Sequence, residues 1–465
     1  MATPPASRPL DRARILLREA ARSIILQHDK VTMRIASLLL GGLLVASAHA
    51  ADLDIAPCLR QLRAEAQSQA RIPAPVFDQF TSGVRYDPKL AEPGPPQPEF
   101  FNPTWEYAGF LVDEQRVTEG REVLSRWQPQ LQYIQAQTGV DPETVVAFFG
   151  VETDFGRYQG SYRVIDALAN RACGPISPSV AAKARASRQL FAAIEVLRLG
   201  DVAPEEFVGS FAGAFGLTQF IPGTYLAHRG QAGQDLADGD QDGKVDSLHS
   251  VPDALMLTAK KVRADGWEPG LPWALPVTLP PEFKRSLALR EKAFGGSLHA
   301  GVAASLMGAN RRPLADWRRL GVKTDDTAAK VAGSTPFVLI SLNDDAEGPY
   351  LLASANFEAH YRYNYSLNYA YAIGMLADRL KGQAALSLPW ASGQRGLSRS
   401  EIRELQCLLS ATRPDIRVDG HPGAKTRTAI TEEETRLGLK PTGRTTDTLL
   451  QQLRIANPDA QPCPG

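Results

Sequence analysis

Val145-Val146-Ala147-Phe148-Phe149-Gly150-Val151-Glu152-Thr153-Asp154-Phe155-Gly156-Arg157 is an apolar run that closes on a carboxylate. Asp141-Pro142-Glu143 opens it as a helix start does, with Asp as N-cap, Pro at the first helical position and Glu in the first turn. Gly156 and the polar Arg157-Tyr158-Gln159-Gly160 close it. Glu152 therefore sits near the C-terminal end of a helix whose earlier turns are almost wholly apolar. A carboxylate there is partly desolvated and lies at the negative end of the helix dipole. Both effects disfavour the anion and raise its pKa. An acid still protonated near neutral pH is what general-acid catalysis needs. A lone Glu at such a place is more often solvent-facing or hydrogen-bonded than catalytic. Its company further along the chain decides for the acid.

The chain has 465 residues, room for two or three domains. Its formal net charge is zero, which argues against nucleic acid as a partner, since no basic excess exists to neutralise phosphates. Met33-Arg34 begins a short positive region, and Ile35 to Val45 is an apolar core of signal-peptide length. Ala48-His49-Ala50 fits the small-x-small cleavage rule, so residues 33–50 read as a signal peptide and Ala51 as the mature start. Residues 1–32 read as an over-extended start. The apolar core is too short to span a bilayer, and no Cys follows it, so no membrane anchor is expected. Export puts Cys58, Cys173, Cys407 and Cys463 in an oxidising compartment. Four cysteines allow three pairings; two near the start and two near the end favour Cys58–Cys173 and Cys407–Cys463.

Most of the remaining pattern is helical: Ile55 to Ala70, Trp105 to Gly139, Ile165 to Ala169, Ser179 to Leu199, Val251 to Trp267 and Tyr369 to Leu380. Residues 91–104 and 268–283 are Pro-rich, and the first stretch is expected to be extended. Val338–Leu342 and Tyr350–Ser354 read as two strands. Gly209 to Tyr225 is full of glycines and small residues, which suits either close approach of a ligand to the backbone or tight packing of segments. Tyr361, Tyr363, Asn364, Tyr365 and Tyr369 form an aromatic, hydroxyl-rich cluster of the kind sugars stack on.

Asp238-Gly239-Asp240-Gln241-Asp242-Gly243-Lys244-Val245-Asp246 places acidic residues at alternate positions around a glycine, the pattern of a calcium loop. The usual bidentate Glu at the twelfth position is His249 here, and Asp253 is near enough in sequence to substitute. The expected ligand set is Asp238, Asp240, Asp242, Lys244, Asp246 and Asp253, with a structural calcium as the one cofactor in view and none required for chemistry. Residues 381–396 read as a Gly/Ala/Ser/Pro linker, 397–455 as a small helical unit and 456–465 as a tail.

Gly150-Val151-Glu152-Thr153-Asp154-Phe155-Gly156, the Gly209 to Pro222 stretch, and Tyr363-Asn364-Tyr365-Ser366 with Tyr369 resemble the membrane-bound lytic transglycosylase B family. Gln97-Pro98-Glu99-Phe100 and Ser250-Val251-Pro252-Asp253-Ala254-Leu255 look like the same family, and the likeness runs through residues 55–380. Residues 397–453 resemble a three-helix peptidoglycan-binding domain, except that Glu432-Glu433-Glu434-Thr435 stands where an aromatic-Gln pair is usual. The resemblance implies a mainly α fold, with a lysozyme-like helical catalytic domain over 51–380, a small β element and a small three-helix C-terminal domain. It implies cleavage of the β-1,4 bond between N-acetylmuramic acid and N-acetylglucosamine in peptidoglycan glycan strands, leaving a 1,6-anhydro end in the periplasm. Glu152 becomes the sole acid and base, with Ser210, Gln219, Tyr363, Asn364 and Tyr369 lining the cleft. Phe149 stands where the family often has Trp, a matter of packing only.

Most glycosidases use two carboxylates, and none besides Glu152 stands out. Asp154, two residues on, points away from it on a helix. The alternatives are a hydrolytic muramidase on the same scaffold and a catalytically silent peptidoglycan-binding scaffold. The C-terminal unit is expected to act as a tethered targeting module that raises local concentration at the wall. The sequence carries no pattern that points to protein partners among other cell-wall enzymes.

Overall fold

The computed structural model describes residues 53–91, 97–175, 179–231, 233–284, 311–342, 348–384 and 395–458, with 386, 388 and 390. The expected start at 1–32, the signal peptide at 33–50 and Cys463 in the 456–465 tail lie outside the described residues. The described residues from Asp54 on form one compact, mainly helical unit.

At its centre is the helix Pro142–Thr153, which buries Thr144 to Gly150 and Thr153. A helix apolar all round has no solvent face and must be enclosed. Here the enclosure includes the helices Glu114–Arg126, Val251–Ala264 and Leu367–Leu380. Gly150 is required: a Cβ there would lie 2.7 Å from the Phe155 ring. Phe149 is buried, edge-on to Phe155 at 5.6 Å, a packing residue as expected. Asp141 has the extended backbone of an N-cap but makes no capping bond. Its carboxylate is drawn instead to Lys381 at 2.6 Å, which ties the start of this helix to the end of Leu367–Leu380.

The outer helices fall where the apolar spacing puts them: Ala56–Gln69, Val164–Cys173 and Val180–Leu199, the last capped by the Ser179 hydroxyl. The long helical stretch after Trp105 is broken into Thr104–Leu111, Glu114–Arg126 and Gln128–Thr138. Cys58 and Cys173 are bonded, stapling the first helix to Val164–Cys173. Cys407 is also disulfide-bonded; its expected partner Cys463 is outside the described residues.

The β element is larger than the sequence shows. β1 (Tyr162–Arg163) pairs with β2 (Val208–Gly209). A second, antiparallel sheet has the order β4-β6-β7-β3-β5, comprising β3 (Ala274–Thr278), β4 (Arg312–Pro313), β5 (Lys323–Thr324), β6 (Pro336–Ser341) and β7 (Tyr350–Ala353). β6 and β7 are the two strands expected. β3 lies inside the Pro-rich stretch and puts Leu275 opposite Leu352.

The C-terminal unit has three helices, Arg399–Ser410, Ala424–Arg436 and Asp447–Ala456, around a core of Leu397, Ile402, Leu405, Ile430 and Leu449. Glu434 is buried and accepts bonds from the Thr442 and Gly443 backbone and the Thr442 hydroxyl, so it holds the unit together. The described residues of the segment before the unit are packed down. Leu386, Leu388 and Trp390 pack on the cluster that contains Trp273 and Phe357. The chain then passes so close to Thr104–Leu111 that a Cβ on Gly396 would lie 2.2 Å from the Trp105 carbonyl oxygen. Glu106, on that helix, is buried against Arg427 at 3.0 Å, Arg444 at 3.1 Å and the Thr445 hydroxyl at 2.9 Å.

Candidate active site

Glu152 occupies the last turn of the central helix, and Tyr369 donates its hydroxyl to Glu152 Oε1 at 2.5 Å. Local sequence sets this contact. The Ser366 side chain accepts from the Tyr369 backbone N–H and starts the helix Leu367–Leu380 there. Tyr369 then lies one turn in, buried, with its ring stacked on Tyr363 at 6.1 Å. Burial pushes the Glu152 pKa up to about 8; the Tyr369 hydroxyl works against this and the charge of Glu99 adds to it. Glu152 is therefore largely a neutral acid at neutral pH.

The Gly-rich stretch forms a tight loop beside this carboxyl. Thr153 donates its hydroxyl to the Leu217 carbonyl at 2.6 Å, and Tyr363 donates to the Thr218 carbonyl at 2.8 Å. Gln219, at φ 51°, sends its amide to the carbonyls of Gly216 and Gln159 at 3.0 and 3.1 Å. The Ser210 hydroxyl accepts from the Ala214 N–H at 3.1 Å. The glycines serve approach of chain to chain: a Cβ on Gly160 would lie 2.1 Å from the Gly209 carbonyl oxygen.

Among the residues expected at the site, the structure brings Glu152, Tyr363 and Tyr369 into one cluster. Gln219 lies on the loop that Thr153 and Tyr363 hold. The Ser210 side chain bonds within its own turn. The Asn364 amide donates to Glu99 Oε1 at 3.2 Å. Glu99 is the carboxylate that reasoning from the residues passed over. It stands on a single helical turn, Pro98–Phe101, where an extended segment was expected. The Ser366 hydroxyl fixes that turn by donating to the Glu99 carbonyl at 2.8 Å. Tyr107 is the other residue missed: it is buried, and its hydroxyl is pushed well above its ordinary range by burial and by the charges of Glu99 and Glu152. Glu99 and Tyr107 also line a cavity of about 830 Å³ whose far wall is His421, Arg427 and Arg444 of the C-terminal unit.

The acidic loop is only partly assembled as expected. Asp238, Asp240 and Asp253 bring carboxylate oxygens within 4.8 Å of one another. Asp253, the residue expected to stand in for the twelfth position, is buried and accepts from the Gly239 and Asp246 N–H groups at 2.7 and 2.8 Å. Burial raises its pKa to about 6 against those bonds, helped by the charge of Asp240. Asp242 and Asp246 turn their carboxylates to their own segment. Asp242 accepts from the Lys244 N–H, and Asp246 from the Leu248 and His249 N–H groups and the His249 ring. Lys244 is exposed and, as a cation, contributes no side-chain oxygen.

The transglycosylase SLT domain family matches residues 54–378. The membrane-bound lytic murein transglycosylase B of Escherichia coli (strain K12) is 26% identical over 284 residues, which are 60% of this chain and 67% of that protein. SltB3 from Pseudomonas aeruginosa, solved in complex with NAG-anhNAM-pentapeptide, is 34% identical with a TM-score of 0.59, over 85% of this chain and 99% of that one. The soluble lytic transglycosylase SltB1 from Pseudomonas aeruginosa, 22% identical with a TM-score of 0.55 over 70% of this chain and 100% of its own, shares the fold.

Proposed function

The chain belongs to the SLT transglycosylase family and is a lytic murein transglycosylase, and on that premise we propose that Glu152 alone carries its proton transfers. The supporting observation is a carboxyl that accepts one tyrosine hydroxyl and, among the described residues, has no basic partner, so that burial pushes its pKa up to about 8. Glu152 gives its proton to the oxygen of the β-1,4 bond between N-acetylmuramic acid and N-acetylglucosamine, and the C1–O bond breaks. The neighbouring 2-acetamido group meets the positive charge at C1. Glu152, now an anion, takes the proton of the C6 hydroxyl, and that oxygen closes on C1 to give the 1,6-anhydro ring. Glu152 ends protonated and no water is consumed. Tyr369 steadies the anionic stage by hydrogen bonding, and Glu99 favours the protonated stage through its field. Tyr363, Asn364, Gln219 and Ser210 orient the sugars on the loop and helix end beside it.

Glu152→Gln is expected to keep sacculus binding and lose nearly all lysis, because both proton transfers vanish. Full activity in that variant ends the single-acid proposal. Glu99 gives one reason for a second reading, hydrolysis by two carboxylates. Mass spectrometry of digested sacculi separates the two: the anhydro product is one water lighter than the hydrolysed one.

The protein acts on the cell wall, and we place it in the periplasm. No helix among the described residues is long and apolar enough to cross a membrane. We further propose a calcium ion held by Asp238, Asp240 and Asp253, three hard oxygen donors converging on one point. It would supply structure, not chemistry. Chelation is expected to lower the melting temperature; an unchanged melting temperature refutes metal binding.

A further inference from the structure

We propose that Arg399, in the C-terminal unit, is a positioning residue for Glu152, acting through Asp154. The proposal rests on Glu152 being the acid. The helix carrying Glu152 ends in an unusual way: Asp154 and Phe155 are both left-handed, at φ 52° and 57°, and Gly156 follows at φ 90°. Two consecutive non-glycine residues in that region are strained. Such a turn persists only where its surroundings fix it.

The surroundings here are three guanidinium groups on one carboxylate. Asp154 accepts from Arg116 Nη2 at 2.9 Å, from Arg157 Nη1 at 2.9 Å, and from Arg399 Nη1 at 2.9 and 3.1 Å. Arg116 and Arg157 come from the catalytic domain. Arg399 arrives at the first turn of the C-terminal unit and is itself held by Asp113, with Nε to Oδ2 at 2.8 Å and Nη2 to Oδ1 at 3.2 Å. Asp113 is the N-cap of the helix Glu114–Arg126, accepting from the Arg116 N–H at 2.8 Å. Arg116, Asp113, Asp154 and Arg399 are all buried. Within this cluster two positive and two negative charges balance, so losing Arg399 leaves two buried carboxylates short of donors. Asp154 is two residues from Glu152 in the same chain. A shift of the turn is transmitted through Thr153 to the last helical residues and so to the contact of Glu152 with the Tyr369 hydroxyl.

A targeting tether and a positioning unit differ on small substrates. Soluble two-disaccharide fragments of peptidoglycan gain nothing from a tether. With full-length protein on these fragments, Arg399→Ala is expected to lose roughly 10–100-fold in kcat with KM changed by less than about threefold, the effect of a misplaced acid. Added guanidinium is expected to restore part of that loss, and Arg399→Lys to fall between Ala and wild type. Arg454→Ala, which breaks an exposed pair with Glu404 in the same unit, is expected to leave kcat unchanged. An unchanged kcat in folded Arg399→Ala overturns the proposal. So does a loss that tracks the melting temperature and is not rescued by guanidinium. Should the Ala variant not fold, an unchanged kcat in Arg399→Lys overturns it. Activity surviving in Glu152→Gln would instead sink the assignment of the acid.

Discussion

Tyr369→Phe removes one oxygen from a buried side chain and leaves the ring that stacks on Tyr363. The hydroxyl lost is the donor to Glu152 Oε1. That donor favours the ionised carboxylate, so its loss raises the Glu152 pKa further above about 8. A hydrogen bond to a charged group contributes about 1.5–3 kcal/mol, and one pKa unit is about 1.4 kcal/mol. The expected shift is therefore ~1–2 units upward. The free enzyme needs Glu152 protonated, so kcat/KM falls on the alkaline side as Glu152 ionises. In the variant that alkaline limb should move to higher pH by the same ~1–2 units. The plateau should also drop, by roughly tenfold to a hundredfold, since the hydroxyl orients the carboxyl as well. The assay is kcat/KM on soluble fragments from mildly acidic to strongly alkaline pH, with melting temperature as the control for folding. A limb that stays in place or moves to lower pH refutes the placement of Tyr369 as the donor to the acid.

Glu152 also titrates the fold. Its folded pKa is raised, so the stability it contributes is complete below its unfolded value near 4.5 and is lost as pH rises to about 8. Glu152→Gln should therefore gain on wild type across that window, with a ceiling of about 5 kcal/mol; parallel melting temperatures at all pH would contradict a neutral, desolvated acid. Gly150→Ala places a methyl 2.7 Å from the Phe155 ring, which the left-handed turn holds in place. It should destabilise by about 1–3 kcal/mol in urea titration, and a neutral result would mean the turn yields easily. Asp253→Ala removes the acceptor for the Gly239 and Asp246 N–H groups as well as a cation ligand. It should lower the melting temperature and abolish any rise on adding calcium; a retained calcium response would place the ion elsewhere.

The acid could be read from local pattern because its environment is local. Nearly every neighbour that desolvates Glu152 from within its own helix is visible between Val145 and Val151. Tyr369 is different: nothing in its own segment points at Glu152, and only the family likeness brought the two together. Glu99 lay in a Pro-rich stretch whose composition argued for extension. Pro98 in fact starts a turn of helix, the position where a missing N–H goes unneeded. β3 was hidden by Pro276, which a central strand should not tolerate. β5 pairs only with Val277 and Thr278, so beside Pro276 that flank of the strand carries no ladder bond. The docking of the C-terminal unit had no sequence signature. It depends on Asp113, Glu106, Arg399 and Arg444, charged residues that periodicity assigns to solvent.

Two carboxylates two residues apart meet opposite fates at the end of this helix. Burial disfavours the anion at both. At Glu152 a neutral hydroxyl is the one partner among the described residues, and Glu99 adds repulsion, so the proton stays. At Asp154 the guanidinium groups of Arg116, Arg157 and Arg399 outweigh burial, and the carboxyl is held below its usual range. Environments that push two nearby acids apart assign their roles: one stores a proton, the other holds charge. The permanent anion cannot share the chemistry, because its oxygens already bind three cations. It can hold the turn that aims its neighbour. One of those cations belongs to the C-terminal unit, which makes the geometry of the acid depend on a residue more than two hundred positions away.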